Sequence, residues 1–410
     1  MRSLKFTASL RMWLLVGVVS MSGVATVSAQ TADDSATWFD VYGFAMLDMG
    51  TSSIQSHPDW FDTLRPTKMP SFKNEFGKGS NFFGSVRQTR FGVKSGTPTS
   101  MGELKTQFEF ELFGTGSDAG KTTFRLRHAY AELGQFGAGQ TWSPFMDIDV
   151  FPNSIEYWGP SGMVFFRNVQ VRWMPIQGDT RLTFALERPG ASADQGNYAD
   201  RIELQNVKPR FEYPDLSAEY RMGGNSWGYV EVAGILRHMA WDDLNNDATD
   251  LSGKKTGWGV NLSSNFKFAS DVLRLQYVYG NGVENYMNDA TTDVGVQVSS
   301  PNGAQIIEGK LLPVQGAVAF LDHTWSPEWS SSVGWSNVTI HNSNGQAPSA
   351  FHQGNYALAN LLWTPVKNFM MGGELQWGER SNYKDGFSVD QFRLQFSVKA
   401  NFSRMFGGKS

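Results

Sequence analysis

The chain has 410 residues, a formal net charge of −4, 14% aromatic residues, 43 glycines and no cysteine. The absence of cysteine excludes disulfide scaffolds, zinc–thiolate sites, iron–sulfur proteins and cysteine nucleophiles. The near balance of charge gives no argument for nucleic-acid binding, and a mean hydropathy of −0.33 excludes a helical membrane protein. What remains is an ordered chain of β-like composition.

The first 29 residues have the features of a secretory signal peptide. Lys5 and Arg11 supply positive charge, Met12–Val19 is a short apolar stretch, and Val27–Ala29 ends in small residues. We expect cleavage before Gln30 and a short linker over residues 30–38. The apolar stretch is too short for a membrane anchor, and no later run of ~18 apolar residues could form a spanning helix.

From residue 39 onward, apolar and polar residues alternate with a period of two, which is typical of β-strands with two unlike faces. The alternation is unbroken from Gln391 to Phe402 and recurs over Glu103–Phe110 and Gly257–Phe268. About sixteen such segments lie within residues 39–406, each close to the ~9–11 residues of a tilted bilayer-crossing strand. No amphipathic helix or linker divides them, so one domain is the simplest account.

Short turns alternate with long polar connections at 50–80, 188–205, 241–256, 280–310 and 341–354. This asymmetry is typical of outer-membrane barrels, whose short turns face the periplasm. Because backbone groups in lipid must pair internally, such a sheet has to close on itself. We therefore predict an all-β fold, an antiparallel transmembrane β-barrel of about sixteen strands. A soluble β-sandwich or solenoid is the alternative, which aromatic residues near strand ends, such as Trp173 and Trp335, disfavour.

Several segments resemble the DcaP-like outer-membrane porins. They are FDVYGF at 39–44, RQTRFG at 87–92, RLRHAY at 125–130, GQTWS at 139–143, FRNVQVRW at 166–173 and GILR at 234–237. The resemblance covers nearly the whole chain after residue 38 and is most specific over 125–173. It implies a sixteen-stranded homotrimeric porin with an arginine-bearing constriction suited to small anions such as dicarboxylates. Some relatives have a helical segment before the barrel, which we do not expect in the few residues between Gln30 and Trp38.

Charged residues on the polar strand faces define the candidate pore lining. An arginine that points into hydrocarbon costs ~2–4 kcal/mol at the membrane midplane, so mid-strand arginines are expected to face the lumen. The alternation makes Glu109 and Glu111 luminal as well. The alternative is that arginines and glutamates on neighbouring strands only neutralise each other. The candidate basic residues are Arg90, Lys105, Arg125, Arg127, Arg172, Arg181, Arg274 and Arg393.

The connection at 145–160, between the predicted fifth and sixth strands, is too apolar for an exposed loop. It resembles the third loop of general porins, and we expect it to fold inward as a constriction loop. Its acidic residues Asp147, Asp149 and Glu156 would then face the arginine wall. Opposed charges across a narrow gap create a strong transverse field, and arginines can pair with the carboxylates of a passing anion.

No catalytic motif is present: the chain has neither Gly-x-Ser-x-Gly nor His-Glu-x-x-His, and its six histidines form no i,i+4 pair. Asp243–Asp247 begins like a calcium loop, but Ala248 and Lys254 stand where Gly and Glu are required. We interpret this segment as a solvated outer loop. No metal, cofactor or enzyme activity is predicted.

The sequence therefore predicts an outer-membrane channel for passive diffusion of small hydrophilic solutes, with a preference for anions. The expected partners are small anionic solutes, outer-membrane lipid and lipopolysaccharide, and a homotrimer is implied by the resemblance; no nucleic acid is expected. Two alternatives stay open. A secreted soluble β-rich glycan-binding protein would not need detergent, and an outer-membrane lipid hydrolase would have a plugged lumen without conductance.

Overall fold

A computed structural model describes residues 37–224, 226–300 and 306–407. The predicted signal peptide and nearly all of the predicted linker lie outside the described residues. The described chain contains twenty-one β-strands, numbered β1 to β21 in chain order. Within these ranges, no helix has both the length and the apolar character needed to cross a membrane.

Sixteen of these strands form an antiparallel barrel. They are β1 (Trp38–Ser52), β3 (Arg90–Thr99), β4 (Gly102–Phe113), β5 (Thr122–Leu133), β6 (Phe136–Trp142), β7 (Arg167–Ile176), β8 (Arg181–Glu187), β11 (Asp215–Gly224), β12 (Gly228–Asp243), β13 (Gly253–Phe268), β14 (Asp271–Asn281), β17 (Pro313–Thr324), β18 (Trp329–Ile340), β19 (Phe351–Val366), β20 (Phe369–Asn382) and β21 (Ser388–Gly407). Each pairs with the next along the chain. β1 also pairs with β21, from Trp38 opposite Gly407 to Ser52 opposite Arg393, which closes the sheet. The predicted fold class is thereby confirmed.

Five further strands lie outside the sixteen-stranded wall. β2 pairs with β1 and β10 pairs with β12, while β9, β15 and β16 form a separate small sheet. Their bounds are β2 (Asn81–Ser85), β9 (Ala193–Asp194), β10 (Val207–Arg210), β15 (Val294–Ser299) and β16 (Ile306–Leu311). Short 3-10 helices in the loops span Pro58–Trp60, Pro66–Lys68, Gly116–Asp118, Ile148–Val150, Gly196–Tyr198, Ile202–Leu204 and Glu284–Tyr286.

The barrel has an apolar exterior and a polar interior. In β21, Phe392 and Leu394 are 62% and 51% exposed, whereas the intervening Arg393 is 2% exposed and the next polar residue, Gln395, is 1% exposed. A soluble sandwich buries its apolar faces between its sheets, so this inverted arrangement excludes that alternative. It is the arrangement of a barrel whose outer face meets lipid.

Connections at one end of the barrel have two to four residues, and those at the other end have five or more. The two-residue turn 367–368 is possible because Asn368 adopts a positive φ of 69°, which asparagine tolerates well. One connection that the sequence predicts to be long and polar, at 50–80, is not exposed as such a loop would be. The segment 53–80 turns inward and buries Trp60, Leu64 and Met69.

The main hydrophobic core lies inside the barrel. Phe145, Met146 and Val150 of the connection between β6 and β7 pack with inward-facing residues such as Val278 and Val338. These inward-facing apolar residues form a patch within the otherwise polar interior, on which the apolar side chains of the connection avoid water. The connection is therefore part of the folded interior.

Candidate functional site

The connection between β6 and β7, residues 143–166, crosses the lumen as a constriction loop. Its first anchor is Asp147, which is fully buried and accepts hydrogen bonds from Arg221 Nη2, Tyr229 Oη and Ser263 Oγ, each at 2.6 Å. Arg221 also reaches Asp149 through Nη1 at 2.5 Å. Three adjacent strands, β11 to β13, thus hold the first half of the loop.

The second half of the constriction loop follows the inner wall along β17 to β21. Asn153 N donates to Asp322 Oδ1 at 3.3 Å, and Ile155 N donates to Glu374 Oε2 at 3.0 Å. Gln395 Nε2 donates to the Ile155 carbonyl at 3.0 Å. Both halves of the constriction loop are therefore held against strands between β11 and β21.

Glu156 joins the constriction loop to the inward segment 53–80, and of the predicted pore-lining arginines it interacts electrostatically with Arg393. Its carboxylate accepts hydrogen bonds from the backbone N–H groups of Leu64 at 3.0 Å and Trp158 at 2.8 Å, and from that of Gly159. Burial raises the pKa of Glu156 to about 7, because desolvation penalises the charged carboxylate. Glu156 is therefore a joint between two loops.

Four arginines converge on two carboxylates in the part of the lumen that the loop leaves open. We call them the arginine cluster. Glu109 and Glu111 on β4 are the acidic partners, and both are buried. Four guanidinium groups against two carboxylates leave two positive charges uncompensated. The arginine cluster consists of Arg90 on β3, Arg125 and Arg127 on β5, and Arg167 on β7.

Arg127 is the most enclosed member of the arginine cluster. Its Nε lies 2.5 Å from Glu109 Oε1 and its Nη1 lies 2.7 Å from Glu111 Oε2. A register shift opposite Glu109 and Phe110 makes Arg127 the extra residue of a β-bulge. A bulge allows neighbouring residues to share one face of a strand, and both Arg127 and His128 are accordingly buried.

Tyr157 links the constriction loop to the arginine cluster. Its hydroxyl contacts Glu111 and receives a hydrogen bond from Arg125 Nη2 at 2.6 Å. Its ring stacks on Phe113 with a centroid separation of 4.0 Å. Tyr157 therefore connects the constriction loop to Glu111 and Arg125 on the wall.

Cavities lie on both sides of the arginine cluster. The cavity toward the long loops has a volume of about 470 Å³ and is lined by Arg125, Arg167 and Tyr157 among others. The cavity toward the short turns has a volume of about 600 Å³ and includes Lys105 and Arg172. The lining of this second cavity also includes the acidic Glu103, Glu132 and Glu219, so it carries charges of both signs.

The other predicted site residues are distributed around the wall. Arg172 donates to the Trp142 carbonyl at 2.5 Å and to Gln170, and Arg181 pairs with Glu219 at 3.0 Å. Arg274 pairs with Asp322 at 2.6 Å beside the constriction loop. Arg393 lies over the Phe83 ring at 3.8 Å and is covered by it. The structure therefore brings Arg90, Arg125 and Arg127 together and leaves these four apart from them.

Sequence reasoning missed Arg167 and Arg221 as site residues. Arg167 begins β7 directly after the constriction loop, and Arg221 lies in β11 with Tyr220 and Met222 exposed on either side. The alternation in β11 was the available signal for Arg221. The alternation along a strand indicates which of its residues face the lumen. It does not indicate which acidic residue of a loop will pair with an inward-facing arginine.

A closed sixteen-stranded barrel with an inward-folded loop and a charged gap defines a porin. A search of curated protein sequences finds no match. The model of the DcaP outer membrane protein family matches residues 71–396, and the chain belongs to that family. It is accordingly a β-barrel channel protein of the bacterial outer membrane and not an enzyme, so the lipid hydrolase alternative is not favoured.

Solved structures share this fold at low sequence identity. The outer membrane channel DcaP of Acinetobacter baumannii is 19% identical, with a TM-score of 0.72 over 90% of this chain and 98% of that chain. An anion-selective porin from Comamonas acidovorans is 10% identical, with a TM-score of 0.57 over 89% and 100%. OmpT of Vibrio cholerae in a trimer form is 10% identical, with a TM-score of 0.51 over 90% and 100%.

Proposed function

We propose that this channel conducts small hydrophilic solutes by passive diffusion and prefers anions. The observation that carries the proposal is the excess of guanidinium groups over carboxylates in the arginine cluster. The side chains of Arg90 and Arg125 are 25% and 19% exposed, so both are accessible from the open lumen. In a narrow gap with low-dielectric walls, such an excess concentrates counter-ions of opposite sign.

In the described part of the chain, the acidic residues of the constriction loop form no ion pair with the arginine cluster. Their negative charge lies near the opposite wall, where Asp147, Asp149 and Glu231 share Arg221. Glu156 is buried against backbone N–H groups. Small dicarboxylates, which the family resemblance implies, suit paired guanidinium groups because each carboxylate accepts two hydrogen bonds in a fork. The anion selectivity of the Comamonas acidovorans porin, a barrel of the same fold, is in keeping with this proposal.

We also propose that the channel is a homotrimer in contact with outer-membrane lipid and lipopolysaccharide. The trimer form of the Vibrio OmpT barrel supports such an assembly for this fold. The apolar exterior supports lipid contact, because residues such as Leu236 and Leu375 are more than half exposed.

Replacing both Arg90 and Arg125 by glutamine tests the anion preference. The double variant removes two of the four positive charges, so we expect the anion-to-cation permeability ratio to fall by about tenfold, as a loss of ~1.4 kcal/mol of anion stabilisation would produce. The measurement is the reversal potential of purified protein in a planar bilayer across a potassium chloride gradient.

The matched control is Arg210→Gln, because Arg210 is 45% exposed and pairs with Glu212 and Asp242 on an outer strand. This variant should keep the wild-type reversal potential. Cation-side reversal in the wild type would refute the proposed preference. A double variant with the wild-type reversal potential would show that Arg90 and Arg125 do not determine the ion selectivity.

A further inference from the structure

Glu111 is the common partner of the arginine cluster. Its carboxylate contacts Arg125 and lies 2.7 Å from Arg127, 3.4 Å from Arg90 and 3.9 Å from Arg167. The side chain is fully buried, and the Tyr157 hydroxyl holds it from the loop side. No other carboxylate of the described residues has this number of arginine neighbours.

The two acidic residues of β4 serve different arginines. Glu109 pairs with Arg127 at 2.5 Å and Arg90 at 3.7 Å. Arg125 and Arg167, which line the cavity toward the long loops, have Glu111 as their carboxylate partner in the described chain. Removal of the Glu111 charge would therefore act on that cavity, whereas removal of the Glu109 charge would act on Arg90 and Arg127.

Glu111 does not saturate these arginines. Among the described residues, Arg125 Nε and Arg167 Nη1 are buried without a hydrogen-bond acceptor. The protein therefore leaves both guanidinium groups incompletely satisfied, and both side chains line the cavity toward the long loops. An anion in the cavity meets guanidinium groups that already share one fixed carboxylate.

We propose that Glu111 is an internal counter-anion that sets how tightly the arginine cluster holds a permeating anion. This inference rests on the proposed anion preference. Conduction requires binding that is favourable enough for entry and weak enough for exit. With Glu111 ionised, an entering carboxylate competes with a resident one and leaves readily. Without the Glu111 charge, no resident carboxylate competes for Arg125 and Arg167, so the permeating carboxylate binds more tightly and dissociates more slowly.

The test compares Glu111→Gln with Glu109→Gln, two isosteric changes on neighbouring inward positions of one strand. The probe is sodium malonate, and the readout is the malonate concentration that gives half-maximal single-channel conductance. We expect that concentration to fall about tenfold in Glu111→Gln, the effect of ~1.4 kcal/mol from one unit charge a few ångströms away in a partly hydrated site. Glu109→Gln should shift it less.

Folding of each variant is checked by heat-dependent mobility on gels. Glu111→Asp keeps the charge but shortens its reach, so we expect a smaller shift in the same direction. If Glu111→Gln does not fold, Glu111→Asp supplies the test. An unchanged half-saturating malonate concentration in Glu111→Asp would then overturn the inference. Equal shifts in Glu111→Gln and Glu109→Gln would also overturn it, because only total charge would then matter. A wild-type reversal potential on the cation-selective side would instead refute the proposed anion preference.

Discussion

At the scale of single residues, Glu156 couples two inward-folded loops through one buried carboxylate. Its folded-state pKa of about 7 lies above the ordinary 4.5, so the folded protein binds a proton that the unfolded chain has released in this range. The resulting stabilisation is complete below about pH 4.5 and is lost as the pH rises through about 7. The pairing of the two loops should be firmest in mildly acidic solution.

We expect Glu156→Gln to flatten the decline in heat stability between about pH 5 and about pH 8. The glutamine keeps the size and one acceptor oxygen but cannot ionise. The measurement is the temperature at which the detergent-solubilised barrel loses its compact gel mobility, taken across this range. Asp118→Asn, an exposed change, should follow the wild-type curve. Parallel curves for Glu156→Gln and wild type would show that Glu156 stays ionised when folded.

The face that each wall arginine occupies could be predicted from the sequence, but its partners could not. Charges at mid-strand indicate the lumen because hydrocarbon excludes them, and the structure places Arg90 and Arg125 inside. The bulge at Arg127 follows from pairing between two strands, which alternation along one strand does not reveal. The ion pair of Arg221 with Asp147 joins residues far apart in the chain and depends on the path of the loop.

At the scale of elements, a buried ion pair anchors the constriction loop where it enters the lumen. Arg221 contacts Asp147, Asp149 and Glu231, and Asp147 is fully buried. Removing one partner of a buried ion pair leaves an uncompensated charge and costs ~3–5 kcal/mol. Loss of Arg221 should therefore loosen the loop where it enters the lumen.

Arg221→Gln should lower the temperature of heat-induced unfolding and increase open-channel current noise, because the first half of the loop gains freedom to move. Both are measured on the same preparation, by gel mobility and by single-channel recording. Arg188→Gln, an exposed change beyond the end of β8, provides the control and should match wild type. A quiet channel of unchanged stability would show that Tyr229 and Ser263 suffice to hold Asp147.

Patterns within an element predicted the strands and the constriction loop well, since period-two alternation and an apolar loop are local signals. The inward segment 53–80 was expected to be exposed, because its many polar residues dilute the signal of Trp60, Leu64 and Met69. These three residues are buried by contacts that the barrel supplies after closure. The composition of the segment alone does not predict such long-range contacts.

At the scale of the whole molecule, the wall has unequal height. β6 and β8 have seven residues each, whereas β19 has sixteen. A tilted strand needs ~9–11 residues to cross a bilayer, so β6 and β8 are each too short to cross one, although β7 between them has ten residues. We infer that neighbouring copies cover this side in the proposed homotrimer.

Native mass measurement in detergent should therefore give a trimer, and a charge on the low side should dissociate it. We expect Val171→Glu on β7 to yield monomers, whereas Leu375→Glu on the tall side should leave trimers intact. Both side chains face outward, at 55% and 63% exposure, which makes them a matched pair. A wild-type monomer, or dissociation by Leu375→Glu alone, would argue against this placement.

The pairing of β1 with β21 has a consequence for biogenesis. It joins residues 38–52 to residues 393–407, the two ends of the barrel sequence, so it is the ladder with the greatest loop-closure entropy. Until the final strand arrives, the growing sheet has two open edges that could pair with other chains. Seam formation is therefore the step that converts an aggregation-prone intermediate into a finished pore, and the barrel cannot be completed before the last strand has been exported.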